Sequence, residues 1–219
     1  MKNRLFSILF GVALVVLILT FSIALPIYLR FFYYLQIDGL SLPYYSGYTF
    51  EEIKTAYDQM LNYLTLPSGT FASGIIPHTA TFANHMADVK ALFGLNLFAL
   101  IISTSIVISF LILNKKGFVK LSRPFGMSIA FTSCLSLLSI VFIIGGLCAL
   151  DFNGTFNVFH HIFFAGKDDW LINPAIDPVI NILPIDFFLN CALLILSSIV
   201  IICFVVIIFQ VAKKKKANR

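Results

Sequence analysis

The segment NHMADVK at residues 84–90 places three chemically capable side chains directly before a long apolar run. If this segment is helical, His85 and Asp88 stand three positions apart on one face, where the carboxylate could orient the imidazole and stabilise its charged form. With a rise of about 1.5 Å per residue, His85 lies roughly 12 Å above Phe93. That depth corresponds to the headgroup and ester zone of a bilayer. Lys90 could contact a headgroup or a developing oxyanion, although a helix-end lysine more often only reaches the interface.

A second segment, VFHHIFF at residues 158–164, places His160 and His161 among phenylalanines. It is too short to cross a membrane and is expected to lie in the interface, with Trp170 as a nearby interfacial anchor. A single histidine at such a place usually only anchors a helix. Two histidine segments at one membrane face indicate more, because a pair of groups that titrate near neutral pH suits acid–base chemistry on a lipid ester.

Composition indicates the class of protein that carries these segments. Of 219 residues, 59% are apolar and only 11% are charged, which a soluble domain of this size could not accommodate. Spans of about 20 apolar residues predict transmembrane helices, since helices satisfy their own backbone groups in hydrocarbon. We therefore expect an all-α integral membrane protein with four transmembrane helices: Leu5–Leu29, Phe93–Leu113, Phe125–Leu150 and Phe187–Ala212. A signal peptide is the alternative for the first of them, but its apolar run exceeds the roughly 7–15 residues of such a peptide.

The charges predict the orientation. Eleven of the 15 basic residues flank the spans on one side, and all ten acidic residues fall on the other. Because Lys and Arg mark the cytoplasmic side, both termini are expected in the cytoplasm. The net charge of +5 is therefore no sign of a nucleic-acid partner. We expect one membrane domain, 1–219, with these parts: an outer cap 30–92, an outer loop 151–186, a cytoplasmic loop 114–124 and a basic cytoplasmic tail 213–219.

The outer cap contains two local patterns. Thr49 and Glu52 form a capping box before a helical apolar repeat that ends near Pro67. The stretch YYLQIDGLSLPYY at 33–45 mixes aromatics with Gly and Pro, which predicts short strands and turns. His78, in a Gly- and Ser-rich loop, is expected to be structural.

Other kinds of catalytic site are less favoured. There is no G-x-S-x-G elbow and no zinc motif, so neither a metal nor a cofactor is expected. All four cysteines lie in predicted spans. Cys148 and Cys191 approach the outer ends and remain alternative nucleophiles, but a thiol in hydrocarbon resists ionisation.

The two histidine segments resemble the two signatures of the Lit family of lipoprotein intramolecular transacylases. The first is HMADVK before a span. The second is FHHIFF followed by Trp170, Pro174, Asp177 and Pro184. AYDQMLNYL at 56–64 is similar to the family's outer helix. His160 matches better than His161, because it stands directly before x-x-Phe-Phe. Asn173 departs from the acidic residue of the pattern.

The resemblance implies a bacterial cell-membrane enzyme whose active site faces outside. Its substrate is a diacylglyceryl-modified lipoprotein, held among membrane lipids, with no obligate protein partner evident. The sn-2 acyl chain moves from glycerol to the α-amino group of the N-terminal cysteine. We expect His85 and His160 to be the catalytic pair, with Asp88, Lys90 and His161 in support. Which histidine is base and which is acid stays open, and no acyl-enzyme is needed because amine and ester share one molecule.

Two other classes of function stay open. The spans contain no charged residue, which argues against a transporter. A non-enzymatic assembly factor is harder to exclude by sequence. An interfacial lipid ester hydrolase would share the histidines and use water as the acceptor.

Overall fold

The computed structural model describes residues 2–217 and is helical throughout its regular structure. This part of the chain contains eight α-helices: α1 Lys2–Tyr28, α2 Arg30–Gly39, α3 Leu42–Ser46, α4 Phe50–Thr65, α5 Ala80–Lys115, α6 Ile129–Leu150, α7 Phe152–Phe163 and α8 Ile185–Ala217. Two 3₁₀ turns, Pro124–Gly126 and Pro178–Ile182, precede α6 and α8. No β-strand occurs within residues 2–217.

Among the described residues, four helices are long and apolar enough to cross a membrane, which confirms the predicted number: Arg4–Tyr28, Ala80–Lys115, Ile129–Leu150 and Ile185–Lys216. The chain is a multi-pass membrane protein. Helix α5 begins well before the predicted span at Phe93, so the NHMADVK segment and the apolar run form one continuous helix. His85 is therefore carried by a rigid element.

The prediction of strands at 33–45 is wrong. This stretch forms α2 and α3, because Tyr33 and Ile37, four residues apart, share a helical face and are fully buried. Gly39 ends α2, and Ser41 takes a left-handed conformation (φ 52°) just before α3. Burial of one helical face outweighs the strand preference of the aromatic residues.

Residues 2–24, 96–146 and 194–217 form one compact unit of apolar helices. Its core includes Phe10, Ile18, Leu137 and Ile199. Helices α1 and α6 approach closely at Gly11, where an added Cβ would lie 2.8 Å from the Oγ of Ser133. Small residues at such a crossing allow the tight helix packing that is common in membranes.

Residues 25–95 and 147–193 form the second unit, which contains both predicted outer segments and both histidine segments. Tyr33 lies at its centre. Its ring stacks on Tyr57 of α4 at 3.7 Å, and its hydroxyl donates a 2.7 Å hydrogen bond to the carbonyl of Ile182. The predicted capping box of α4 is confirmed, with Thr49 and Glu52 bonded reciprocally. These contacts join α2 and α4 to the chain segment before α8.

Candidate active site

The site is built around two imidazoles that come from different helices. His85 lies on α5 and His160 near the end of α7, and their ring centroids are 5.9 Å apart with the planes inclined by 31°. Both residues are buried, with 6% and 7% of their surface exposed. A histidine pair at this spacing can serve one reacting group from two sides.

Hydrogen bonding determines the tautomer of His160. Its Nδ1 lies 2.8 Å from the backbone carbonyl oxygen of Phe156, one turn earlier in α7. A carbonyl can only accept, so Nδ1 carries the hydrogen and donates it. In the neutral ring, Nε2 then holds the free lone pair. His160 is thus prepared to accept a proton at Nε2.

Aromatic side chains surround the pair. The Phe164 ring lies 4.8 Å from the His85 ring, and the Trp170 ring lies 4.9 Å from the His160 ring. Phe156 packs on His160 from the other side at 4.3 Å. Burial in this shell lowers the pKa of His160 below its usual value, and the neighbouring His161 lowers it further, while the hydrogen bond to Phe156 opposes the shift. The shell therefore favours the neutral, proton-accepting ring.

The partner of Asp88 is a lysine, not His85. The Nζ of Lys167 donates to both carboxylate oxygens of Asp88, at 2.5 and 2.6 Å. This ion pair lines a cleft of about 190 Å³ whose other walls are Ala91, Leu92, Phe163, Phe164 and Ala165. Nδ1 of His85 is buried and has no hydrogen-bond partner among the described residues. Asp88 acts on His85 only through its electric field.

Comparison with known proteins identifies the family of this chain. The family model described as Lipoprotein intramolecular transacylase Lit matches residues 8–188. This chain belongs to the Lit family. It is a membrane acyltransferase, an intramolecular transacylase of lipoproteins. A search of curated proteins gave no match.

Solved structures of the membrane-integral Lit from Bacillus cereus share the fold. One is 24% identical, with a TM-score of 0.86 and coverage of 98% of both chains. A structure of that protein with an H85R mutation is 23% identical, with a TM-score of 0.79 over 99% of this chain and 95% of that chain. A third, with an H85A mutation, is 24% identical at a TM-score of 0.79, over 98% and 96%.

In this member of the Lit family, the predicted supporting residues are not all at the site. The Nζ of Lys90 contacts a ring of α4 instead, 4.4 Å from the centre of Tyr63. This cation–π contact agrees with a structural lysine rather than an oxyanion contact. His161 is exposed and meets Trp170 edge to face at 5.1 Å.

Trp170 belongs to the wall of the site as well as to the predicted interface. Its indole N–H donates a 3.0 Å hydrogen bond to the carbonyl of Lys167 and so closes a tight turn. Because the indole has a single N–H and uses it in this way, the side chain of Trp170 has no donor left for an oxyanion and serves as a packing surface for His160.

The hydrogen bonds of His78 indicate a structural role. The hydroxyl of Ser73 donates to the Ile76 carbonyl at 2.7 Å, so its oxygen accepts from Nδ1 of His78, also at 2.7 Å. A serine that donates to a backbone carbonyl and accepts from the imidazole is in the wrong state for attack on an ester.

The sequence assigned no role to Lys167 or to Asp177, although Asp177 belongs to the second segment that resembles the Lit family. Lys167 was one of several charged residues before Trp170, with no pattern to single it out. Asp177 is only 5% exposed and accepts from both the backbone N–H and the hydroxyl of Thr79, at 2.5 and 3.1 Å. Thr79 in turn caps α5 by accepting from the N–H of Phe82. Asp177 therefore fixes the start of the helix that carries His85.

Proposed function

We propose that this chain moves the sn-2 acyl chain of a diacylglyceryl lipoprotein directly to the α-amino group of its N-terminal cysteine. The two histidines assist the transfer, and no acyl-enzyme forms. The observation that carries the proposal is the buried pair His85 and His160, in which the tautomer of His160 leaves Nε2 free to accept a proton.

His160 is the base in this scheme and His85 the proton donor. Nε2 of His160 takes a proton from the attacking amine as the new N–C bond forms. The ester C–O bond then breaks, and the departing glycerol oxygen receives a proton from protonated His85. The extra proton on His160 then passes to the adjacent His85. His160 is again neutral and His85 again protonated, as at the start of the cycle, so protons balance.

Much of the remaining reduction of the activation barrier comes from the proximity of the amine and the ester. Amine and ester are tethered in one substrate, so an enzyme that folds them together makes the reaction effectively unimolecular. The shell of Phe156, Phe164 and Trp170 keeps water from the reacting carbonyl. Exclusion of water favours the amine as acceptor and separates this enzyme from an ester hydrolase.

We propose that the reaction takes place at the outer face of the cell membrane. The basic residues before α1, between α5 and α6 and after α8 point to cytoplasmic termini. Both histidine segments then lie on the external side, where a lipoprotein's glycerol esters are found at headgroup depth. Membrane lipids are the medium of the site, and we propose no obligate protein partner.

Mass spectrometry of lipoprotein N-termini tests the proposal. The enzyme and a diacylglyceryl lipoprotein are reconstituted in proteoliposomes, and the N-acyl lyso product is measured. His85→Ala and His160→Ala should each reduce its formation by about 10²–10⁴ at normal protein level. His78→Ala is the matched control and should keep activity, because His78 bonds to Ser73 away from the pair.

Three outcomes would contradict the scheme. Full activity in both His85→Ala and His160→Ala would remove the catalytic pair. Activity lost in His161→Ala and kept in His160→Ala would shift the assignment by one residue. Free fatty acid without N-acylated peptide would identify a hydrolase.

A further inference from the structure

The turn from Lys167 to Trp170 is attached to the site at both ends. Lys167 bonds to Asp88, which lies one helical turn after His85 on α5. Trp170 packs on His160, and its indole bond to the Lys167 carbonyl holds the turn closed. Asp169 lies between these anchors, directly before Trp170. The turn therefore places the backbone of Asp169 between one contact to α5 near His85 and another to the ring of His160.

Two polar atoms in this region are buried without a hydrogen bond. Oδ1 of Asp169 and Nδ1 of His85 both lack a partner among the described residues. Native structures rarely leave such atoms unpaired, because burial removes the water that would otherwise satisfy them. One atom is an acceptor and the other can carry a hydrogen, so each could satisfy the other.

The charged and titratable groups that act on His85 come from each element around it: Asp169, Asp88, Lys167 and His160. Asp88 is the weaker candidate for a direct partner, since both of its oxygens accept from Lys167. His160 uses its own Nδ1 on Phe156. Asp169 is the carboxylate with a buried oxygen that is not already hydrogen-bonded among the described residues.

We propose that Asp169 is the positioning residue of His85, its Oδ1 accepting the Nδ1–H of that imidazole once a small side-chain rotation or one bridging water joins the two atoms, which are not hydrogen-bonded here. This inference rests on the acyl transfer proposed above. The bond fixes the ring orientation, keeps the hydrogen on Nδ1 and stabilises the imidazolium. Protonated His85 then presents Nε2–H to the departing glycerol oxygen. The carboxylate itself stays ionised and does not touch the substrate.

Three variants of the full-length enzyme in proteoliposomes test the proposal. Asp169→Asn keeps the shape and removes the charge, Asp169→Glu keeps the charge, and Asp168→Asn is the matched control on the exposed neighbour. Lyso-lipoprotein formation should fall by at least about tenfold in Asp169→Asn. This is part of the roughly 10²–10⁴-fold rate enhancement that general acid–base catalysis supplies. It should recover in part in Asp169→Glu and stay normal in Asp168→Asn.

Two readouts separate positioning from a merely structural role. The alkaline limb of the pH–rate profile should move to lower pH in Asp169→Asn, because the imidazolium loses the charge of a carboxylate that stabilises it. In ¹⁵N-histidine spectra, His85 should be mainly the Nδ1–H tautomer in the wild type and mixed in Asp169→Asn. Asp168→Asn should leave both unchanged.

Normal activity and an unchanged His85 tautomer in Asp169→Asn would overturn this inference. If Asp169→Asn fails to fold, Asp169→Glu decides: loss of the Nδ1–H tautomer in a folded Asp169→Glu protein would also overturn it. The acyl transfer itself is judged separately by His85→Ala and His160→Ala. If both of these variants are inactive and Asp169→Asn is fully active, the proposed role of Asp169 is wrong and the proposed acyl transfer stands.

Discussion

Lys167 donates to both carboxylate oxygens of Asp88 and thereby joins the turn after α7 to α5, one helical turn from His85. The lysine side chain is half-exposed, with 50% of its surface accessible. The pair thus organises the edge of the site but is not shielded from solvent. Partly exposed ion pairs contribute about 0–1 kcal/mol, so this contact should tune activity without being essential.

Replacing Lys167 tests whether its ion pair with Asp88 only tunes activity. Lys167→Met should reduce lyso-lipoprotein formation by less than about tenfold, far less than His85→Ala. Lys167→Arg should retain activity, because it keeps the charge. Lys54→Met is the control, since its partner Glu51 lies on α4 at 3.8 Å. A loss in Lys167→Met as large as in His85→Ala would make Lys167 catalytic.

The pKa of His160 should lie below the usual value of about 6.5. Burial lowers the pKa and His161 lowers it further, against the opposing hydrogen bond to Phe156, so the ring stays neutral to a lower pH than a free imidazole does. Titration of ¹³C-labelled histidine by NMR measures this value. His161→Gln should raise the pKa of His160, and His78→Gln should leave it unchanged. An unshifted or raised value in the wild type would contradict the buried setting.

A cysteine-free site should remain active. Cys191 lies on α8 and Cys148 near the end of α6, both in helices apolar enough to cross a membrane, where a thiol resists ionisation. Replacing Cys148 and Cys191 with Ser should therefore cost only a modest packing penalty, with no hydroxylamine-sensitive acyl group on the enzyme. An acyl-enzyme at either cysteine, lost together with activity on mutation, would establish a covalent route.

Loss of the Asp177 carboxylate should destabilise the start of α5. Asp177→Ala leaves the N–H of Thr79 without its buried acceptor, at a cost of about 1–3 kcal/mol. Thermal unfolding in detergent should show a lower Tm, whereas Asp168→Ala on the exposed surface should change little. Equal Tm values for the two variants would show that the cap of α5 contributes nothing measurable.

Orientation can be measured with single thiols in an enzyme whose four cysteines, Cys134, Cys148, Cys191 and Cys203, are all replaced with Ser. A Glu51→Cys thiol on α4, the helix that carries Asp58, should react with an impermeant reagent from outside intact cells. Lys215→Cys in the basic tail should react only after lysis. The reverse pattern would place the histidine pair on the cytoplasmic side and remove the proposed access to lipoproteins.

The sequence by itself determined the number of membrane helices, the capping box of α4 and the two histidine segments. Each of these depends on neighbours within one or two helical turns or on the apolar length of a single segment. The hydrogen bond from His160 to Phe156 is local in the same sense, spanning one turn of α7. Residue order is sufficient for such features because the helix itself supplies the geometry.

Tertiary structure alone decided which side chains meet. Residues 33–45 became helical because Tyr33 packs on Tyr57 and bonds to Ile182, a partner distant in sequence. Asp88 was expected beside His85, its helix neighbour, yet it bonds to Lys167 from another segment. A carboxylate pairs with whichever donor the folded chain presents at hydrogen-bond distance, and spacing along one helix cannot reveal a donor that arrives from elsewhere.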